Sequence, residues 1–257
     1  MGSFWKHVNN VLREAEIIIQ VLDARMVEET RNHEIEEKIE KWEKKILNVI
    51  TKIDLVDLEK VKVMRSKLRP CIFISSKNKQ GTTILKKKIL ELSKGKAVIV
   101  GVVGYPNVGK SSLINALSGR GAAKTSSESG YTKGMQKIKV DNKILILDTP
   151  GVFPDREKDD SKHGKIGAID YGKIKDPETA ALHLIMGEKE TILKHYQLEY
   201  KGDDSEEILE QIAFKFNLVS KGNTPNLEVA ARKVLKDWQT GNIKQDSRFV
   251  RKNVQSS

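Results

Sequence analysis

Chemistry in this chain begins with eight residues, Gly104-Tyr105-Pro106-Asn107-Val108-Gly109-Lys110-Ser111. They have the form G-x-x-x-x-G-K-S and follow an apolar run, Ala97–Val103, that reads as a buried strand feeding the loop. Gly104 and Gly109 let the backbone curl so that its amide N–H groups point inward at phosphate oxygens. The helix opening at Lys110 adds the partial positive charge of its N-terminus. Gly104, Asn107, Val108, Gly109, Lys110, Ser111 and Ser112 are thus the predicted phosphate cradle, with Lys110 on the β- and γ-phosphates and the Ser111 hydroxyl on Mg²⁺.

Further along, Leu145-Ile146-Leu147-Asp148-Thr149-Pro150-Gly151 is an apolar strand ending in D-x-x-G. Asp148 is predicted to hold Mg²⁺ through water, and the Gly151 amide to touch the γ-phosphate. Thr132, in a Ser/Gly-rich loop, is the choice for the threonine that completes the Mg²⁺ shell; Thr125, Ser126, Ser127 and Ser129 compete for that role.

Phosphate loops also serve ATPases and kinases, so the base needs its own argument. Guanine presents N1–H and the 2-amino group as adjacent donors. One fixed carboxylate accepts both, and adenine offers no such pair. Asp54, at the end of Thr51-Lys52-Ile53-Asp54, suits that role, and the Lys52 stem can lie over the ring. Thr51 stands where asparagine is usual; it can hydrogen-bond but carries no amide. After the next apolar run, Ser75-Ser76-Lys77 forms a short loop that could offer backbone N–H to guanine O6. Together these residues predict a GTPase. An ATPase or nucleotide kinase would leave Asp54, Ser75 and Ser76 without a purpose.

The elements that position these residues alternate. A helix is expected over 4–16, a strand over Ile17–Leu22, a charged helix over 28–45 and a strand over Ile46–Ile50. A helix over 57–68, the strand Cys71–Ile74, a helix over 82–93, the strand Ala97–Val103 and a helix over 110–118 follow. Lys137–Val140 and Lys143–Leu147 flank Asp141-Asn142 as a hairpin. This order predicts an α/β fold with a doubly wound, mostly parallel sheet. From Asp176-Pro177 the pattern is helical, with a capping box at Asp204 and Glu207 and a last helix opening at Thr224-Pro225. The domains so read are 1–153, a polar linker 154–175, a small all-helical C-terminal domain 176–245, and a tail 246–257.

The chain has 257 residues, 38% hydrophobic and 32% charged, with a net charge of +11. The charge is uneven: positive over 1–175 and 229–257, negative over 176–228. Such a balance meets the electrostatic criterion for nucleic acid, and alone it does not separate RNA from DNA or from a solvated surface. One cysteine, Cys71, excludes an internal disulfide and suits a reducing cytoplasm. No apolar run is long enough to span a membrane, and no signal peptide is read at the N-terminus. His7, His33, His163, His183 and His195 show no metal-ligand spacing.

In ordinary small GTPases the phosphate loop precedes the base-reading motifs; here both base-reading motifs come first. The sequence resembles the circularly permuted GTPases of the YlqF/RbgA family. The resemblance rests on Asp23-Ala24-Arg25, Thr51–Asp54, Ser75-Ser76, Gly104–Ser112, Gly130-Tyr131-Thr132 and Asp148–Gly151, in that order. It implies a P-loop GTPase fold in permuted order, action in large ribosomal subunit assembly, contact with rRNA or the large subunit, no DNA and no membrane. The alternative is a nucleotide-regulated switch for a protein partner without RNA binding.

Many GTPases orient the attacking water with a glutamine after the D-x-x-G glycine. This chain has Val152, an apolar residue that cannot do so, which predicts slow intrinsic turnover. The resemblance implies that Asn107 helps hold K⁺ beside the phosphates, a role weighed against loop shaping; a partner is the other source of catalysis. Bacterial members use a histidine in F-P-G-H near the N-terminus. Phe4-Trp5-Lys6-His7 lacks the Pro-Gly, so that role is not carried to His7. The chain leaves the first domain directly after Asp148–Gly151, so loss of γ-phosphate is expected to free residues 152–175.

Overall fold

The computed structural model describes residues 3–57, 59, 63, 64, 66, 68–119, 136–149, 151, 163 and 167–245. The chain divides into two compact units, Met1–Glu157 and Lys158–Ser257.

The first unit is built on α1 (Ser3–Glu14), β1 (Ile17–Asp23), α2 (His33–Lys41), β2 (Lys45–Thr51), β3 (Cys71–Phe73), α3 (Thr82–Leu92), β4 (Val98–Val103), α4 (Lys110–Ser118), β5 (Gln136–Lys139) and β6 (Ile144–Asp148). Its sheet has the order β3-β2-β1-β4-β6-β5. Every neighbouring pair is parallel except β5–β6, which closes the expected hairpin. β1 is buried along its whole length, as a central strand of a sheet covered on both faces must be. Strand order reverses between β1 and β4, and at such a switch point the loops beyond the carboxyl ends open a crevice.

Helix α1 buries Trp5, Val8, Val11 and Leu12, spaced as one helical face requires. Trp5, Val8 and Leu12 form one apolar cluster with Ala15, Ile18, Ile35, Ile39 and Val103. The approach is close at Gly101: a Cβ there would stand 2.5 Å from Val11 Cγ1 and 3.1 Å from Ala15 Cβ. A second cluster joins Leu22, Ala24, Val27, Ile50, Met64 and Leu68, with half-buried Cys71 packed against it.

Some boundaries differ from the sequence expectation. The helix expected over 28–45 begins only at His33. Thr30 Oγ1 donates to Met26 O at 2.7 Å and accepts from Asp23 N at 3.1 Å, which ties residues 23–30 into a turn. Asn32 then caps the helix, its side chain accepting from Ile35 N at 3.1 Å. Of the helix expected over 57–68, residues 59, 63, 64 and 66 are helical and several others lie outside the described residues. So does the loop expected over 125–134.

The second unit packs α5 (Pro177–Tyr196), α6 (Ser205–Lys215) and α7 (Leu227–Gln239) around Leu184, Ile185, Leu209, Ile212, Val234 and Trp238. Asp176 caps α5 through Thr179 N at 3.0 Å, with Pro177 in the first turn. Two expectations are corrected here. Asp204 caps α6 through Glu206 N at 2.8 Å, while Glu207 pairs with the Tyr200 hydroxyl instead of closing a reciprocal box. Thr224–Pro225 form a short strand, β8, paired with β7 (Val219–Ser220), and Asn226 caps the last helix through Val229 N. Proline at 225 has no N–H, so it sits where the ladder does not need one. Residues 169–174, expected within the linker, are bound to α7. Gln239 donates to Ile169 O and accepts from Tyr171 N, and Arg232 donates to Tyr171 O.

Candidate nucleotide site

Parallel strands all end at one edge, so the topology gathers the predicted motifs without further help. Asp23 ends β1, Thr51 ends β2, the phosphate loop follows β4, and Asp148 ends β6. Ser75 lies two residues past β3, held by Ile74 N donating to Ile50 O at 2.8 Å.

The phosphate loop takes backbone conformations open to few side chains. Gly104 has φ 148°, and a Cβ there would stand 2.6 Å from Val21 O. Gly109 has φ 103° and Asn107 has φ 60°, a left-handed conformation that asparagine tolerates. Val108 is buried, Ser111 half-buried and Ser112 exposed at the start of α4. The Lys110 ammonium is folded back into the loop, donating to Gly104 O at 3.1 Å and Tyr105 O at 2.6 Å. Burial pushes its pKa down to about 8, with Asp148 pulling the other way.

Asp148 is buried, and neither carboxylate oxygen has a hydrogen-bond partner among the described residues. Burial pushes its pKa up to about 6, and Lys110 opposes the rise. An orphaned buried carboxylate beside a phosphate cradle suits a divalent cation, which would satisfy both oxygens. Thr149 is fixed by donating to Val102 O at 2.8 Å. Gly151 lies directly on the loop: a Cβ there would stand 2.6 Å from Pro106 Cα and 3.0 Å from Lys110 Nζ. Only glycine brings the backbone this near, as an amide aimed at a terminal phosphate requires. Thr132, with its competitors Thr125, Ser126, Ser127 and Ser129, lies outside the described residues, as does Val152.

The base-reading segment is bound to the phosphate loop. Thr51 Oγ1 shares its hydrogen between Leu22 O at 3.0 Å and Val108 O at 2.5 Å. Lys52, at φ 58°, donates to Asn107 O at 2.9 Å and to Asp23 Oδ2 at 2.8 Å. Burial lowers the Lys52 pKa, and the Asp23 charge opposes that. Asp54 accepts from Ser75 Oγ at 2.7 Å. Ser75 N donates to Gln80 O at 3.2 Å, so within this pair Ser75 acts through its hydroxyl, orienting the carboxylate, and Ser76 follows half-buried.

One functional pairing escaped the sequence reading. Asp23 receives Arg25 N at 3.0 Å, Arg25 Nε at 3.1 Å and Arg25 Nη2 at 2.8 Å, in addition to Lys52. Burial alone would raise its pKa; the Arg25 and Lys52 charges outweigh that and hold the carboxyl well below the usual carboxylate range. A carboxylate at the end of a mostly apolar strand, followed two residues on by arginine, was the available signal.

Comparisons with known proteins agree with this geometry. The model of the RsgA GTPase family matches residues 14–154, and that of the 50S ribosome-binding GTPases matches residues 99–215. The GTP-binding protein MJ1464 of Methanocaldococcus jannaschii is 38% identical over 93% of this chain and 65% of its own length. GTPase grn1 of Schizosaccharomyces pombe is 32% identical over 94% of this chain and 61% of its own. The chain thus spans less than two thirds of these relatives' lengths. GNP-bound YlqF from T. maritima superposes with a TM-score of 0.64, 22% identity and coverage of 95% of this chain and 96% of that one. That likeness gives the fold, and the motif order gives the permutation. The chain belongs to the RsgA GTPase family, with its motifs in circularly permuted order.

Proposed function

We propose that this protein binds guanine nucleotide, hydrolyses GTP to GDP and phosphate, and acts in assembly of the large ribosomal subunit. The observation that carries the nucleotide reading is the Lys52 ammonium, which joins the base-reading segment to Asn107 O of the phosphate loop across 55 residues of sequence. A carboxylate for guanine and a cradle for phosphates thereby belong to one crevice.

In this reading Gly104–Ser112 wraps the phosphates and Lys110 leaves its carbonyl partners for the β- and γ-oxygens. Gly151 donates its amide to the γ-phosphate. Ser111, Thr132 and Asp148 would hold Mg²⁺, which when bound neutralises charge on the phosphate oxygens. Lys52, Asp54, Ser75 and Ser76 enclose guanine, with Thr51 at the start of the same segment. With Val152 in the glutamine position, turnover is slow until a partner or K⁺ at Asn107 assists. The domain limits 1–153, 154–175 and 176–245, and a cytoplasmic setting, belong to the same proposal.

The ribosomal part draws on the 50S ribosome-binding model, and relatives include the nuclear GTP-binding protein NUG1 of Saccharomyces cerevisiae. Exposed Lys77, Lys79, Lys87, Lys94 and Lys96 in the first unit supply phosphate contacts. Arg232 and Lys233 are paired internally with Glu228 and Asp237 and contribute less.

The test measures phosphate release from GTP and ATP with and without purified large subunits, alongside co-sedimentation. GTP-selective release raised by subunits supports the proposal. Release from ATP at an equal rate refutes the nucleotide reading. GTP-selective release with no nucleotide-dependent sedimentation refutes the ribosomal part and favours a protein partner.

A further inference from the structure

We propose that Thr51 is a strut of the phosphate loop and not a reader of the base, so that guanine N7 goes unrecognised in this site. The inference rests on the guanine reading above and adds which edge of the base is read.

Purine N7 is an acceptor and needs a donor to be recognised. Thr51 lies three residues before Asp54, and its side chain has one hydrogen to give. That hydrogen is shared between two main-chain oxygens, Leu22 O at 3.0 Å and Val108 O at 2.5 Å, and Thr51 is only 2% exposed. Turning the hydroxyl toward a base would withdraw it from Val108 O inside the buried loop, at the cost of an unsatisfied polar group. The side chain also lies beside the Gly109 backbone, where an added Cβ would stand 3.4 Å from Thr51 Oγ1.

The neighbouring donors are committed as well. Lys52 Nζ gives hydrogens to Asp23 and to Asn107 O, and the Ser75 hydroxyl gives its hydrogen to Asp54 Oδ1. What remains for the base is acceptor capacity on the Asp54 carboxylate and, in the loop after Ser75, main-chain N–H read toward O6, which lies on the same edge as N1. Acceptors read N1–H and the 2-amino group, which lie on the opposite edge of the purine from N7. The site therefore discriminates by one edge alone.

Calorimetry on the full chain with GDP, 7-deaza-GDP, IDP and ADP tests this. In 7-deaza-GDP a C–H replaces N7; IDP lacks the 2-amino group. The expected result is 7-deaza-GDP within about twofold of GDP and IDP weaker by about tenfold or more. Thr51→Val should weaken GDP and 7-deaza-GDP by the same factor, because it loosens the loop and not a base contact. Thr51→Asn, which supplies an amide donor, should create a preference for GDP over 7-deaza-GDP. A tenfold loss with 7-deaza-GDP in the unaltered protein overturns the inference, as does a Thr51→Val effect confined to GDP. ADP binding as well as GDP would instead overturn the guanine assignment, and this inference with it.

Discussion

Lys52 and Asp23 are joined by a 2.8 Å ion pair across 29 residues, and the same ammonium reaches Asn107 O in the phosphate loop. Lys52 thereby joins three strand-end loops at once, while Arg25 holds both oxygens of the same carboxylate, Nε on Oδ1 and Nη2 on Oδ2.

Asp23→Asn leaves the buried Arg25 and half-buried Lys52 charges without their counter-ion. The expected loss is about 3–5 kcal/mol in chemical denaturation. The pH dependence has a definite sign. Asp23 is held below its ordinary range in the folded state, so its contribution is present above pH about 4 and is lost as pH falls further. The variant should therefore show a flatter acid limb. An unchanged acid limb would show that the pair does not stabilise the fold.

How much of this was legible beforehand depends on range. Gly104–Ser111, Asp148–Gly151 and the helix over 110–118 announce themselves because each is a local pattern of glycine, lysine and apolar run. The start of α2 at His33 was missed because Thr30 ties its hydroxyl to Met26 O, and the helical pattern of 28–45 carries no mark of that tie. The opening of the last helix was missed because proline after threonine fits a helix start as well as a short strand. The Asp23–Lys52 pair was missed because nothing local links positions 29 apart; only parallel β1 and β2, with Asp23 in register with Thr51, bring them together.

Gly101 carries the contact between α1 and β4. Gly101→Ala should lower stability by about 1–3 kcal/mol through overpacking against Val11, Ile18 and Ala15. A thermal melt measures it. Nucleotide affinity of the folded fraction should be unchanged, since the contact lies away from the carboxyl ends of the strands.

Gly151→Ala places a methyl group against the Pro106 main chain and Lys110 Nζ. The backbone of Pro106 cannot yield, so the segment after Asp148 must move off the loop. Affinity for a non-hydrolysable GTP analogue should fall by about tenfold more than affinity for GDP, measured with fluorescent nucleotides. Equal losses would place Gly151 away from the terminal phosphate.

In the helical unit, Tyr196 donates to buried Asp237 Oδ2 at 2.9 Å, alongside Lys233 and Asn242. Burial and the adjacent Asp237 charge both raise the Tyr196 pKa, so the phenol stays protonated as the donor. Tyr196→Phe should cost about 1–2 kcal/mol, because Asp237 loses one of its donors. Hydrogen exchange across 177–239 should report the loss, leaving exchange in 17–51 unaltered.

The central claim is that the Asp54 carboxylate, oriented by Ser75 at 2.7 Å, reads the donor pair of guanine. Asp54→Asn exchanges an oxygen acceptor for an amide donor and so should reverse the preference from guanine to xanthine, whose C2 bears an oxygen. Calorimetry with GDP and XDP on the unaltered and Asp54→Asn proteins measures this directly. The account predicts a loss of GDP affinity by about a hundredfold with a gain for XDP. GDP binding unchanged in the variant, with no gain for XDP, would contradict it.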